Sequence, residues 1–355
     1  MGQVAMLIDL NKCIGCQTCT SACKSMWTDE PGQEYMLWNN VETKPGRGYP
    51  NGWEQSGGGW TPDGELAPGV LMDKAAHGMD GTVNFEQVYF EGTESKLQVV
   101  PRDQPAGVEK KSSPFVILNN SEAKVAQEDP GCGSNFDEDS SSGEYPNNYH
   151  FYLPRLCNHC TKPSCLEACP TRAIYKREED GVVLIDQDKC KGFRECNSAC
   201  PYDKIYFNYV TGKSQKCIFC FPRLEEGVAP ACARQCPGRL RFVGFLEDVD
   251  GPIHKLVNEW KVGLPLHAEW GTEPNVFYVP PILPPQFDEN GNFGNEARVP
   301  IEYLRELFGP GVDQALATLE TEMERTERGE PSELMDLLVA KDWKSLFKIP
   351  EVKYF

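Results

Sequence analysis

The chain has 355 residues, 40% hydrophobic and 10% aromatic, which is apolar material enough for two or three compact units with cores and excludes a disordered chain. Its 53 acidic against 35 basic side chains give a formal net charge of −18, which excludes nucleic acid as a partner, since that needs clustered Lys and Arg. No apolar run approaches the roughly 18 residues of a membrane-spanning helix, so no direct membrane span is expected.

Met1 to Leu10 lacks a basic region, an apolar core and a small-residue cleavage site, so no export signal is expected there. Instead Ala5–Cys13, AMLIDLNKC, reads as an apolar strand that delivers a cysteine through an Asp-x-x-Lys-Cys turn. That cysteine opens a first group, Cys13, Cys16, Cys19 and Cys23, spaced C-x2-C-x2-C-x3-C. This is the bacterial ferredoxin spacing. Three thiolates wrap one iron–sulfur cube, and the fourth, one helical turn on, reaches a second.

From about residue 40 to 150 the chain is rich in Gly, Pro and acid. GYPNGWEQSGGGWTPDGE reads as loop, with aromatics able to pin it to a surface. Gly57–Gly59 lacks the Lys-Ser/Thr of a phosphate loop and is read as turn material. Asp137 to Glu144 reads as a solvated acidic loop, and Cys132 as an ordinary free thiol.

A second group follows at Cys157, Cys160, Cys165 and Cys169, closed by Pro170. AIYKREEDGVVLID then predicts a hairpin about Asp180-Gly181. The third group is Cys190, Cys196 and Cys200, closed by Pro201, with Phe193 where the spacing calls for a cysteine. An aromatic ring cannot ligate iron, so this site is predicted to keep three irons. The fourth group is Cys217, Cys220, Cys232 and Cys236, closed by Pro237, and Arg239–Leu246 follows as a strand. Past Gly251, Pro274–Phe287 must run extended, either around its own modules or along a partner. Val312, Leu316, Leu319 and Met323, and then Leu334, Leu338 and Trp343, predict helices with these residues toward a core.

Fifteen of the 16 cysteines thus fall into four tight groups, which suits metal ligation better than disulfides. Zinc is the alternative, but zinc sites use separated pairs and have no need of a CxxCxxCxxxCP run. The hairpin joins groups two and three into one module. Groups one and four then pair across the chain, and the repeat VVLIDQDKC at Val182–Cys190 echoes AMLIDLNKC. Side-by-side pairing of one with two and three with four is the competing topology, but it removes group three from that hairpin. Crossed ligation gives the expected sets. Cys13, Cys16, Cys19 and Cys236 hold one [4Fe–4S] cluster; Cys23, Cys217, Cys220 and Cys232 a second; Cys157, Cys160, Cys165 and Cys200 a third. Cys169, Cys190 and Cys196 hold a [3Fe–4S] cluster.

The expected fold class is α+β: two bacterial-ferredoxin-like two-cluster modules with a loop-rich insert and a helical C-terminal extension. Residues 1–40 form the first half of the outer module, 41–148 the insert and 149–212 the inner module. Residues 213–250 complete the outer module, and 251–355 form an extended and helical tail for partner contacts. The histidines, His77, His150, His159, His254 and His267, show no metal-binding spacing, although His159, between Cys157 and Cys160, is placed to hydrogen-bond a cluster or serve as a structural residue. No catalytic constellation stands out, and the alternative to a subunit of a larger complex is a free-standing soluble polyferredoxin, against which the long insert and the cysteine-free tail argue.

With DLNKCIGCQTCTSACK, WNNVETKPGRGYP, CNHCTKPSCLEACP, CPYDKIYFN, KCIFCFPRLEEGVAPAC and GTEPNVFYVPP, most of the chain resembles one family. This is the iron–sulfur β subunits of the type II molybdoenzymes of the dimethyl sulfoxide reductase superfamily. The set includes ethylbenzene and dimethylsulfide dehydrogenases and selenate, chlorate, perchlorate and nitrate reductases. By length and the WNNVET…SGGG segment, the ethylbenzene dehydrogenase type looks nearest. The resemblance implies a non-catalytic electron-transfer subunit between a molybdopterin-containing catalytic α subunit, facing the first cluster, and a haem b γ subunit or membrane anchor, facing the three-iron site. It also implies a periplasmic location, by co-export on the partner's twin-arginine signal, or else the cytoplasmic face of the inner membrane.

Overall fold

The computed structural model describes residues 2–33, 36–46, 48–50, 52–69 and 142–346. His77, Cys132 and most of the acidic run at 137–144 lie outside the described residues. Strand β1 (Val4–Asp9) is buried along its whole length because it has a neighbour on each edge. It pairs antiparallel with β8 (Arg241–Phe245) and parallel with β10 (Val276–Val279), in a sheet of order β8-β1-β10-β9, where β9 is Leu264–Pro265. A strand enclosed in this way reads as a continuous apolar run, which VAMLID nearly is. The strand expected after group four is β8, and its pairing with β1 brings groups one and four together. The choice left open for Pro274–Phe287 is also resolved at β10, which packs on its own chain, with the Tyr278 hydroxyl donating to the Pro154 carbonyl at 3.0 Å.

Group two starts in the loop between β3 (Phe151–Leu156) and α2 (Ser164–Glu167), with Cys165 on α2 and Cys169 just beyond it. Strands β4 (Ile174–Lys176) and β5 (Val183–Ile185) form the expected antiparallel hairpin, turning where Gly181 takes a φ of +71° and Asp180 accepts from the Val182 N–H at 3.0 Å. Helix α3 (Glu195–Ala199) packs on α2, and α1 (Thr18–Trp27) packs on α5 (Ala231–Arg234). A second hairpin, β6 (Ile205–Asn208) with β7 (Lys213–Lys216), joins group three to group four. A short helix α4 (Phe221–Leu224) follows Cys220.

Proline decides what happens after each group. Cys169, Cys200 and Cys236 precede a proline, which disfavours helix at the residue before it. In each case the chain turns: the N–H three residues on donates to the cysteine carbonyl at 3.1–3.2 Å, and Arg172, Asp203 and Arg239 take positive φ. Cys23 precedes Lys24 instead, and α1 runs on to Trp27. The internal repeat has a local cause too. Asp9 accepts from the Asn11 N–H at 3.1 Å, and Asp186 from the Asp188 N–H at 3.0 Å, so each strand bends into its cysteine loop through the same side-chain turn.

The region expected to be loop from residue 40 begins with a fully buried strand, β2 (Asn39–Lys44), paired with β3. Its polar residues escaped a reading based on apolar pattern because they are buried as partners. Glu42 binds the Arg155 guanidinium at 2.6 Å and accepts from the Trp53 indole at 3.1 Å. Arg155 donates onward to the carbonyls of Tyr49 and Tyr202 at 2.8 and 2.7 Å. Removing one member of such a buried pair costs about 3–5 kcal/mol. Trp53 is therefore core and not a surface pin. Gly58 and Gly59, both at positive φ, lie against Ala199 and Trp270, where a Cβ would come within 2.9 and 2.6 Å of backbone oxygen. The triple glycine is thus loop, pressed against the end of α3 beside Cys200.

The tail holds α6 (Ile301–Phe308), α7 (Val312–Glu327) and α8 (Glu333–Leu338). Val312, Leu319, Leu334 and Leu338 are buried, each contributing about 2 kcal/mol. Leu316 and Met323 are half-buried. Trp343 does not join them. Ala340, at a φ of +57°, ends the turn after α8; Trp343 is 37% exposed, with the Arg239 guanidinium 4.2 Å from its ring centre. Five residues beyond Leu338, it had already left the helical stripe. Among the described residues no helix is long and apolar enough to cross a membrane.

Candidate metal centres

The fifteen described cysteines are all free thiols. Cys13, Cys16, Cys19 and Cys236 line one cavity, between the loop after β1 and the start of β8. Cys23, Cys217, Cys220 and Cys232 line a second, beside Met6, Trp27 and Trp38. Cys157, Cys160, Cys165 and Cys200 line a third, with His159 and Tyr202 in its wall. Each cavity gathers thiols from two sequence groups, three from one and one from another. Cys196, buried on α3, has Cys169 and Cys190 close by; burial, reinforced by those two and opposed by a hydrogen bond with Ser214, pushes its thiol up to about 11. Phe193 stands 60% exposed in the same loop. Among the described residues no three His, Cys, Asp or Glu side chains converge as they would around a single ion; the thiols ring spaces instead.

Burial dominates the acid–base character of these thiols. It pushes Cys13, Cys200 and Cys232 up to about 12, and Cys23 and Cys165 well above the ordinary thiol range. Cys169 goes the other way. Burial would raise it, but hydrogen bonds from Thr171 and from backbone N–H groups outweigh that and lower it. Taking up metal therefore means releasing protons, and metal charge must supply the driving force.

The walls supply donors to sulfur. The Arg241 guanidinium donates to Cys19 Sγ at 3.3 Å, the Trp27 indole to Cys220 Sγ at 3.1 Å, and the Phe219 and Ala173 N–H groups to Cys217 and Cys169 Sγ at 3.3 Å each. Other buried donors at the cavities have no protein partner: Arg241 Nε at the first, Trp38 Nε1 and the Asn39 amide at the second, His159 Nε2 at the third. His159 is informative. Its Nδ1 accepts from the Val183 N–H at 3.0 Å, and burial, with Lys216 and Lys176 nearby, holds the ring's pKa well below the ordinary histidine value. A neutral ring that accepts at Nδ1 carries its proton on Nε2, which lies in the cavity wall as a donor. Thiols around a space, with unsatisfied donors in its wall, fit a group that carries acceptor sulfides and negative charge.

Residues 148–246 match the 4Fe-4S dicluster domain family, and residues 4–25 a 4Fe-4S binding domain. The chain is 53% identical to the selenate reductase subunit beta of Thauera selenatis, across 98% of this chain and 99% of that protein. It is 53% identical to the chlorate reductase subunit beta of Ideonella dechloratans, across 95% and 96%. With the dimethylsulfide dehydrogenase subunit beta of Rhodovulum sulfidophilum it shares 49% identity across 98% of both. The chain belongs to this family of iron–sulfur β subunits. It is an electron-transfer subunit of an oxidoreductase complex, not the catalytic one, and it binds 4Fe-4S-type clusters. For such a β subunit, residues beyond the cysteines matter as well. The cysteine spacing pointed to the ligands, but Arg241, Trp27 and the Ala173 N–H were not singled out by it. Arg241 had a signal, as a charge with apolar neighbours on both sides, Leu240 and Phe242.

Proposed function

We propose that the chain passes single electrons between a molybdopterin-containing catalytic α subunit and a haem b γ subunit or membrane anchor, using three [4Fe–4S] clusters and one [3Fe–4S] cluster. The observation that carries this is the lining of the three cavities by the crossed cysteine sets, four thiols each, with Cys169, Cys190 and Cys196 left as a set of three. Bound clusters supply reversible one-electron chemistry at potentials set by ligand number, hydrogen bonding and exposure. The chain's part is to hold the thiolates, exclude water and aim N–H donors at sulfur.

A serial order has support as well. Cys19 and Cys23 sit on one helix, α1, and Cys217 of the second cavity is close enough to Cys157 of the third for that neighbour to help raise it. Cys165, Cys169, Cys196 and Cys200 share one apolar cluster. Exposure falls at the two ends of this order, at Cys16 with Ile14 (71% exposed) and at Phe193, whereas the four cysteines of the second cavity are all buried. The exposed points are where redox partners would face the series. In this reading the folded complex is exported with its catalytic partner.

Metal analysis and EPR of the anaerobically purified complex test the reading. Roughly fifteen β-subunit iron atoms are expected, and oxidised protein should show a paramagnetic centre, as a [3Fe–4S] site does and oxidised [4Fe–4S] sites do not. About four metal atoms, zinc in place of iron, or a silent oxidised β subunit would overturn it.

A further inference from the structure

Arg241 is 2% exposed, and its guanidinium always carries charge. Among the described residues no carboxylate pairs with it. Its Nη2 donates to Cys19 Sγ at 3.3 Å, in the first cavity, and its Nη1 lies 3.7 Å from the Met6 sulfur, in the wall of the second. Nε has no partner. A buried cation surrounded by sulfur is costly unless an anion compensates it, and a cluster with four thiolates is one. Strand pairing explains the placement: Arg241 sits opposite Ile8 on β8, so its side chain enters between the β1 loop and the helices that carry Cys19 and Cys232.

Resting on the ligand sets proposed above, we propose that Arg241 is the shared counter-cation of the first and second clusters and raises the potential of both. One-electron reduction adds one negative charge to a cluster, and a fixed cation in the common wall favours that charge on either side. The guanidinium fork matters because one group must serve two sites; an ammonium on a single stem reaches one geometry at a time.

The test is an EPR-monitored redox titration of the intact complex carrying Arg241→Met or Arg241→Lys. Signals of the first cluster are assigned by their loss in Cys236→Ser, and those of the second by their loss in Cys220→Ser. In Arg241→Met both midpoints should fall, each by about tenfold in the one-electron equilibrium, roughly 59 mV. The third and three-iron sites should hold. Arg241→Lys, whose ammonium divides between the two sites, should lower the same two by a smaller factor, and it keeps the test decisive if the Met variant does not load. Midpoints unchanged in the loaded variant, a shift in one cluster alone, or a uniform shift of all four would overturn the proposal. Iron content and the number of centres report separately on the ligand sets, so failure of that reading is distinguishable from failure of this one.

Discussion

The two proposed cluster pairs share one plan but differ in what stands between their cavities. Between the first and second cavities stands Arg241, a buried cation that touches sulfur in both walls. Between the third cavity and the three-thiol site, the side chains packed among Cys165, Cys169, Cys196 and Cys200 are Ile174, Val183, Ile205, Leu166 and Ile185. The Lys216 ammonium, whose charge reaches Cys165, donates to the carbonyls of Val183, in the wall of the third cavity, and of Cys217, in the wall of the second. An apolar wall disfavours added negative charge, and a cation favours it. The inner pair, which has Lys204 in the third cavity's wall and Lys216 near Cys165, is also the pair in which Phe193 stands at a ligand position. On the ligand sets and the Arg241 role proposed above, a cation in the wall and a lost thiolate would be two routes to the same end, a site that accepts an electron more readily, with one used in each pair.

The crossed ligation proposed for the pairs is the first thing to break. Cys236 belongs to the fourth sequence group but lines the first cavity with Cys13, Cys16 and Cys19. Cys236→Ser should therefore cost about four iron atoms or convert the first site, leaving the signals of the Cys217, Cys220 and Cys232 site in place. Cys200→Ser should do the same to the third site and spare the three-iron centre. Loss of the sequence-local site in either variant would show the ligation to be uncrossed. A smaller effect sharpens the contrast within the inner pair. His159 is held as a donor at Nε2 by the Val183 N–H on its Nδ1, the one imidazole N–H in the third cavity's wall among the described residues. His159→Leu should lower the third cluster's midpoint by roughly threefold to tenfold in the one-electron equilibrium, as expected for losing one hydrogen bond of about 1 kcal/mol, with the outer pair unmoved. A shift spread over all centres would point to a packing effect instead.

Much of this was legible in the sequence because cysteine spacing encodes ligand geometry directly. The Asp180-Gly181 hairpin and the strand after group four were readable for the usual reasons, turn chemistry and apolar runs. Strand β2 was not. Asn39, Asn40, Glu42 and Lys44 look like solvent-facing residues, and it is the arrival of Lys204 at Asn40, Arg155 at Glu42 and Glu54 at Lys44 that offsets the burial of the last three. Nor could spacing say that Pro274–Phe287 places a strand beside β1, since an extended segment carries no signal for its neighbour. Trp343 misled because a helical stripe was extended past the residue, Ala340, that ends it. Local chemistry was readable; long-range pairing of polar groups was not.

The mildest perturbation lies outside both pairs and checks that their differences are local. Glu54 joins the segment after β2 to the rest of the fold through Lys44 Nζ at 2.6 Å and His267 Nε2 at 3.1 Å. Burial alone would raise its carboxyl, but the His267 hydrogen bond and the Lys44 charge outweigh that and hold it at about 2, below the ordinary 4.5. A carboxylate depressed in the folded state contributes stability that is complete above the unfolded value and is lost as pH falls toward the folded one. The loss thus begins near pH 4.5 and continues to about 2, reaching about 1 kcal/mol by pH 4. Thermal midpoints of the complex at one scan rate, taken from pH 6 to pH 4, should fall less steeply for Glu54→Gln than for the unaltered chain, from a lower starting value at pH 6. All four cluster potentials should stay where they are at pH 6. Parallel slopes would remove Glu54 from the account, and a shifted potential would mean that the segment after β2 reaches the clusters as well as clamping the fold.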